Sequence, residues 1–515
     1  MRNILPFTNS DPHTNGAQYI EDLATAYWFS GALFSAVELD IFGKLGPDGM
    51  AIDRLAEAVG VETQLLGRFV DALCALGLVG RYGDQLFNMP VAKKYLVAGK
   101  EGYQGDSIMW RKYIAPSWQN LTACLKAGGR IDYPEQEENR TDRIRQYVSA
   151  MDNVARAKSK ELVCFFEGVG LKGEILDAGA GSGAVAAALL KAFPDTTAVL
   201  MDLPEVVEQT RSFFSGAMLK DRVKFHPANM LEEWDLDNNF FDIVILSNIV
   251  HAYSEAEITD LLRKAALALK PEGMLLIHDF FFEHYPQKAA LFDINMLINT
   301  YNGRVFSSES MARILSEEGF YIAPLAPLST DTAVLFASKS AAALNSLTLD
   351  MTASLVPKMR SIGFKNAYRI SVEDICVADW TAEKCRFGCG HYGSPQCPPN
   401  SDIPQKTREL LRGYKTALLL EGEPPTRDFQ AKALNAEKAA FSAGFHKALV
   451  YWAGPCSMCE ACVQDGVCRN SENARPSMEG AGIDVFGTVR RLGVGIKTLE
   501  DKNEFVKYFA LLLLE

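Results

Sequence analysis

Apolar residues recur at three- and four-residue spacing from about Ala17 to Gly99, in LATAYWFSGALFSAVELDIF and again in LLGRFVDALCALGLV, which predicts helices joined by short polar turns. Within that stretch AIDRLAEAVGVETQLLGRFVDALCALGLVGRYGDQLFNMP traces helix, turn, helix and a small hairpin, the outline of a winged helix. Helical spacing continues from about Gly105 to Gly168 and now carries Trp110, Tyr113, Trp118, Tyr147, Met151, Phe165 and Phe166. At Gly173 the period changes. The short β runs EILDAGAG, TAVLMDL, VKFHPAN, FDIVILSNIV and MLLIHDFFF are interleaved with the helical AVAAALLKAF, VVEQTRSFF and ITDLLRKAALALK. The segment closes on the helix MARILSEEGF and the strand TAVLFAS. Strands alternating with helices of this length predict an α/β fold, a Rossmann-like doubly wound sheet with mainly parallel strands.

Around Lys339 to Thr352 the chain turns small and polar, and beyond it the candidate strands YKTALLLEGE, HKALVYWAG and FVKYFALLLLE lie among helices and cysteines. The expected organisation is a winged-helix-like, all-α dimerisation domain over 1–104 and a catalytic domain over 105–338, of which 105–168 are connecting helices. A linker over 339–352 and an α+β cysteine-rich domain over 353–515 follow. A chain of 515 residues is long enough for such a division.

The net charge of −12 sets the global field against nucleic acid phosphates, so the winged-helix outline is expected to pack and pair chains into a homodimer rather than read DNA. The N-terminus has no apolar stretch of signal-peptide length, and the closing YFALLLL is too short to cross a bilayer, so a cytoplasmic protein with no membrane partner is expected. Eight of the eleven cysteines fall between Cys376 and Cys468, and in a reducing compartment such a cluster points to metal ligation.

The strand EILDAGAG runs into a turn carrying Asp177, Gly179, Gly181 and Gly183 and then into a helix. Glycines suit a sharp turn that lets a ligand approach the backbone at a helix N-terminus. Asp202, 19 residues after Gly183 at the end of TAVLMDL, can accept hydrogen bonds from both ribose hydroxyls of an adenosine group. With Ala184 in the last position the turn also satisfies a dinucleotide fingerprint, which leaves an NAD-dependent oxidoreductase open. A non-catalytic winged-helix sensor is open as well.

EILDAGAGSG followed by VLMDLPEVVE resembles the small-molecule O-methyltransferases that include the plant caffeate and animal acetylserotonin enzymes, over about residues 15–338. The resemblance implies an intertwined dimer, S-adenosylmethionine as methyl donor and a small-molecule acceptor, with an aromatic hydroxyl as the expected acceptor group and N- or S-methylation as alternatives. VKFHPANML is similar to the family segment whose acidic residue contacts adenine, with Asn229 in its place. Leu203, Met230 and Ser247 complete the candidate donor-binding set.

Methyl transfer to a hydroxyl requires a base, and His251 lies just past the carboxyl end of FDIVILSNIV, where ligand sites of open α/β sheets form. The resemblance places His251 on the family's catalytic position and Asp279 on its histidine-orienting carboxylate. Two family acids are replaced here, by Ala252 and by Val305. Met151, Trp110, Phe281, Asn295 and Met296 are the candidate acceptor-pocket residues.

Cys456, Cys459, Cys462 and Cys468 form C-x2-C-x2-C-x5-C, a close spacing that suits the irons of a [4Fe-4S] cluster better than the separated knuckles of zinc. Cys385, Cys389 and Cys397 form a second set, with Cys376 or His391 as its fourth ligand. This stretch resembles an uncharacterised family of predicted metal-binding proteins.

Overall fold

The computed structural model describes residues 12–131, 140–168, 170–214, 219–401, 403–462, 467–498, 501, 504 and 506–515. The first eleven residues, read above as lacking a signal peptide, and residues 463–466 between Cys462 and Cys468 lie outside the described residues.

Helices Tyr27–Glu38, Ile41–Leu45, Ile52–Val59 and Thr63–Ala75 precede a hairpin of β2 (Val79–Tyr82) and β3 (Gln85–Asn88). The two-residue β1 (Met50–Ala51) pairs antiparallel with β3, so this region is not all-α: its wing is a three-stranded sheet in the order β1-β3-β2. Leu55, Leu66, Val70 and Leu73, at helical spacing, bury one face of the helix pair against Ile41 and Phe42.

The catalytic region is built on β4 (Gly173–Ala178), β5 (Thr196–Asp202), β6 (Val223–Pro227), β7 (Phe241–Ser247), β8 (Leu269–Asp279), β9 (Tyr321–Ile322) and β10 (Ala333–Ser338). Its sheet runs β10-β8-β7-β4-β5-β6, with β9 paired to β10. The pairs from β6 to β8 are parallel, and β10 closes antiparallel on β8, with Ala333 opposite Asp279. Strands covered on both faces need continuous apolar runs, and Ile243–Leu246 and Leu275–Ile277 are fully buried. Each such side chain contributes about 1.5–3 kcal/mol on leaving water. Strand order reverses at β4, which has β5 on one side and β7 on the other, so a crevice opens beyond the carboxyl ends of these strands. The long helix Arg140–Cys164 packs against helix Gly105–Ile114, and helix Pro286–Asn299, not anticipated from the sequence, follows β8.

The expected linker is structured. Ala341–Leu344 form a helix that packs on β10, and helix Met351–Ile362 begins inside the polar stretch. The chain divides into two compact units, one built mainly from residues 16–324 and 328–349 and the other from residues 350–515.

The second unit is an antiparallel sheet of β11 (Asn366–Ser371), β12 (Thr416–Gly422), β13 (Leu449–Tyr451) and β14 (Tyr508–Leu513), in the order β11-β12-β14-β13. Side chains alternate between its faces. Leu418, Leu420 and Leu512 pack under helices Met351–Ile362 and Thr426–Ser442, while Leu419, Leu511 and Tyr451 meet Met478, Ile483 and Val489 on the other side.

Candidate active site

The crevice beyond β4, β5 and β7 encloses a cavity of about 280 Å³. Asp177, Gly179, Gly181, Asp202, Leu203, Asn229, Met230, Ser247 and His251 all line it, so the structure brings nearly the whole candidate donor set together with the candidate base. Gly179, Gly181 and Gly183 all have positive φ, at 75°, 54° and 75°. A Cβ on Gly179 would come within 2.3 Å of Ile249, and one on Gly183 within 2.8 Å of Leu200, so close packing as well as conformation demands glycine there. Gly181 has open space around its Cα, on the side of the ligand cavity.

Asp202 is anchored by the loop it faces: Gly181 N–H and Leu203 N–H donate to its two carboxylate oxygens, each at 2.8 Å. Burial pushes its carboxyl upward, and these two N–H donors oppose that shift. Asp177, buried at the end of β4, is pushed up to about 7 by desolvation. The Asn229 side chain is engaged locally, its Oδ1 accepting from Leu231 N–H at 3.1 Å and its Nδ2 donating to Glu232 at 3.2 Å. Ser247 reaches the cavity, and its hydroxyl is bonded to Nδ1 of His278 at 2.8 Å.

His251 sits in a short 3-10 turn after β7, entered through Asn248 at φ 57°, a left-handed conformation asparagine tolerates better than most residues. Asp279, at the end of β8 and 0% exposed, accepts from His251 Nδ1 at 2.6 Å and from Phe280 N–H at 2.7 Å. Burial alone would raise the Asp279 carboxyl, but the charge and hydrogen bond of His251, with the Phe280 N–H, hold it below its usual range. The imidazole packs edge-on to Phe292 at 4.9 Å and lies 6.3 Å from Phe280. Where the family carries a second acid, Val305 is buried among Phe280, Ala289 and Phe292. Its N–H donates to Asp293 at 2.7 Å. His251 therefore has one carboxylate partner and an apolar wall.

Met151 lines the cavity, whereas Trp110 stands behind it, stacked on Tyr113 at 5.0 Å and edge-on to Tyr147 at 5.2 Å. The other three candidate acceptor-pocket residues lie away from this cavity. Phe281 is 0% exposed and bridged to Phe306, Met296 is buried, and Asn295 is buried with Oδ1 accepting from Trp118 Nε1 at 3.1 Å, so none lines this cavity. Apolar spacing alone does not separate the core face of a helix from its cleft face.

Several site residues were not singled out from the sequence. Tyr147 lines the cavity, and desolvation pushes its phenol up to about 12. Tyr253 lines the same space. Buried Lys158 donates to Asp331 at 3.2 Å with its ammonium 5.5 Å from the Phe280 ring. Isolated tyrosines and lysines on helices carry no spacing signal.

In the second unit, Cys385, Cys389 and Cys397 line a cavity of about 570 Å³. Burial, then repulsion from Cys389, Cys385, Cys456 and Cys462, pushes the Cys397 thiol up to about 11, which places thiols of both motifs near one another. Cys456 is raised by burial and by Cys468, Cys459 and Cys462 in the same way. The Cys376 Sγ lies 3.9 Å from Asp374 O and beside Gly487. His391 is exposed on the surface. Among the described residues no three His, Cys, Asp or Glu side chains converge as a ready metal site. The donors themselves, thiols whose mutual repulsion a cation relieves, fit a thiophilic metal.

Residues 123–321 match the O-methyltransferase domain family, residues 21–98 the O-methyltransferase dimerisation domain, and residues 368–514 the predicted metal-binding protein family DUF2284. The tetracenomycin polyketide synthesis 8-O-methyl transferase of Streptomyces glaucescens is 29% identical over 321 residues, 60% of this chain and 93% of that protein. The N,N-dimethyltransferase OxyT of Streptomyces rimosus is 27% identical over 294 residues, 55% of this chain and 83% of its own. In fold the chain is similar to human N-acetylserotonin methyltransferase in complex with SAM, with a TM-score of 0.57 at 20% identity, covering 65% of this chain and 99% of that one. These matches support a methyltransferase rather than the NAD enzyme that the glycine turn had left open. Residues 21–321 thus carry the dimerisation and catalytic domains of an O-methyltransferase, and residues 368–514 a predicted metal-binding domain.

Proposed function

We propose that the protein methylates a hydroxyl on a small aromatic acceptor, with His251 as general base and Asp279 as its orienting partner. The observation that carries this reading is the 2.6 Å contact between His251 Nδ1 and the buried Asp279 carboxylate at the edge of the donor cavity. With Nδ1–H donating to Asp279, the neutral ring keeps its lone pair on Nε2. S-adenosylmethionine supplies the electrophilic methyl carbon. Asp202 would hold its ribose, the glycine turn would leave room for it against the backbone, and Asn229 and Met230 would flank its adenine. Nε2 takes the acceptor proton as the carbon–oxygen bond forms, and Asp279 stabilises the imidazolium that results. Tyr147 and Met151 provide apolar walls that hold water away. Two chains pair through the N-terminal helices, and the protein works in the cytoplasm; among the described residues no helix is long and apolar enough to cross a membrane.

In the second unit, Cys456, Cys459, Cys462 and Cys468 would hold an iron–sulfur cluster, with Cys385, Cys389 and Cys397 available to a second. Such a cluster supplies one-electron chemistry or a structural clamp. The test of the catalytic reading is His251→Ala. Turnover should fall by a factor on the order of 100 or more while donor affinity, measured by calorimetry, stays nearly constant. Near-normal turnover across the pH range would refute it.

A further inference from the structure

His278 interrupts the apolar run of β8: Leu275, Leu276 and Ile277 precede it, all fully buried, and it is itself 0% exposed. An imidazole in such a place is costly unless its nitrogens are bonded. Here Nδ1 is bonded to the Ser247 hydroxyl and Nε2 to the Thr332 hydroxyl, each at 2.8 Å. Thr332 is 0% exposed as well, so that end of the ring meets only the core. The other end reaches the ligand. Ser247 stands opposite His278 in the β7–β8 register and lines the donor cavity. The next residue, Asn248, donates its N–H to His278 O at 2.8 Å, so His278 grips the end of β7 through main chain and side chain together. Burial, then the charge of Lys158, holds the ring far below the usual histidine range, which keeps it neutral.

The carboxyl edge of the sheet is a ruler for the methyl donor. Asp177 pairs with Leu200 on β5 and with Ile245 on β7, so Asp202, Gly179 and Ser247 stand two residues further along, at matching heights on three neighbouring strands. Two strand spacings, about 10 Å, separate Asp202 from Ser247. With the ribose at Asp202, the donor's thioether chain leads past Gly179 and brings its amino-acid end to Ser247 and to Asp177, which lines the same cavity. An ammonium there has three N–H donors to satisfy. We propose that His278 is a positioning residue, which fixes the Ser247 hydroxyl so that its oxygen accepts a hydrogen bond from the donor's amino group. In either tautomer of the ring the serine oxygen keeps a lone pair for the cavity, since a hydroxyl has one hydrogen and two lone pairs. The contact with Nδ1 also holds Ser247 in one of its staggered rotamers before the donor arrives. This role rests on the ribose contact proposed above for Asp202.

The test is calorimetry on the full chain with two probes, S-adenosylhomocysteine and 5′-methylthioadenosine, the second of which shares the adenosine and the sulfur but lacks the amino acid. Ser247→Ala should weaken the first probe by about tenfold, as expected for a hydrogen bond to a charged group, and leave the second within about twofold. His278→Gln extends to the Nε2 position and Thr332 but not to Ser247, and should behave as Ser247→Ala does. His278→Asn extends to the Nδ1 position and Ser247 but not to Thr332, and should bind both probes nearly as the native chain does. Each of these two variants leaves one buried hydroxyl unbonded, so a role in stability alone would move them together. Asp202→Ala should weaken both probes alike; if it weakens neither, the ribose contact itself is refuted. An effective Asp202→Ala beside a Ser247→Ala that spares S-adenosylhomocysteine, or weakens both probes equally, overturns the proposal, as does equal binding by His278→Asn and His278→Gln.

Discussion

At the scale of single residues, charge placement decides what this site does. Asp279→Asn keeps the shape of the His251 contact but removes the negative charge that, in the proposed mechanism, stabilises the imidazolium, so turnover should drop by a factor on the order of 100 or more. Steady-state rates with saturating donor check this, and an unimpaired Asp279→Asn would separate the carboxylate from catalysis. Asp202→Ala removes a charged acceptor, and donor affinity should weaken by about 1.5–3 kcal/mol, read by calorimetry. His278 gives a pH prediction. Desolvation, then the charge of Lys158, lowers its ring from 6.5 to about 3, and its two nitrogens meet Ser247 and Thr332 hydroxyls at 2.8 Å. The folded state thus resists a proton that the unfolded chain accepts. Stability is complete above about pH 6.5 and is lost as pH falls toward 3, by up to about 1.4 kcal/mol per unit from this group. The urea midpoint should follow that slope, and His278→Gln should flatten it. These charges were unequally legible. Asp202, His251 and Asp279 stand at strand ends and could be read from the sequence, whereas His278 faces inward one residue earlier on the same strand, a distinction only the register reveals.

At the scale of elements, turns and caps hold the site. Helix Glu255–Ala268 begins with a capping box in which Ser254 Oγ accepts from Glu257 N–H at 3.3 Å and the Glu257 carboxylate accepts from Ser254 N–H at 2.7 Å. That box ends the turn carrying His251. Ser254→Ala should cost about 1 kcal/mol in chemical denaturation, with a smaller loss of rate as the turn loosens. The alternating β and α runs were legible because covered parallel strands need unbroken apolar stretches, and the glycine turn was legible because few other residues adopt its φ values. Helix Pro286–Asn299 and strand β11 escaped. In the helix, polar and apolar residues alternate without a clean stripe; in NAYRIS, the strand reads like a loop because one face is open to water. The polar stretch near Lys339 misled in the opposite sense, since small residues there pack a short helix on β10.

At the scale of the whole chain, two compact units carry different chemistry. Protein purified without oxygen should be brown and contain iron, because thiolate-bound iron clusters absorb visible light and zinc does not. Cys459→Ser should bleach that colour, and metal analysis finding zinc without iron would count against an iron centre. The spacing within each cysteine motif was legible, but the approach of Cys397 in one motif to Cys456 and Cys462 in the other was not, because about sixty residues of chain separate them. One feature of the catalytic unit reaches further. Helix Gly105–Ile114 rests on helix Tyr27–Glu38, with Lys112 paired to Glu38, and its Trp110 lies edge-on to Tyr147 on the rim of the donor cleft. The N-terminal helices and the cleft rim thus share one train of packed parts, and pairing of two chains at the first part should bear on the last. Dilution below the point where partners separate should slacken that train, so the donor is held more weakly by the lone chain than by the pair.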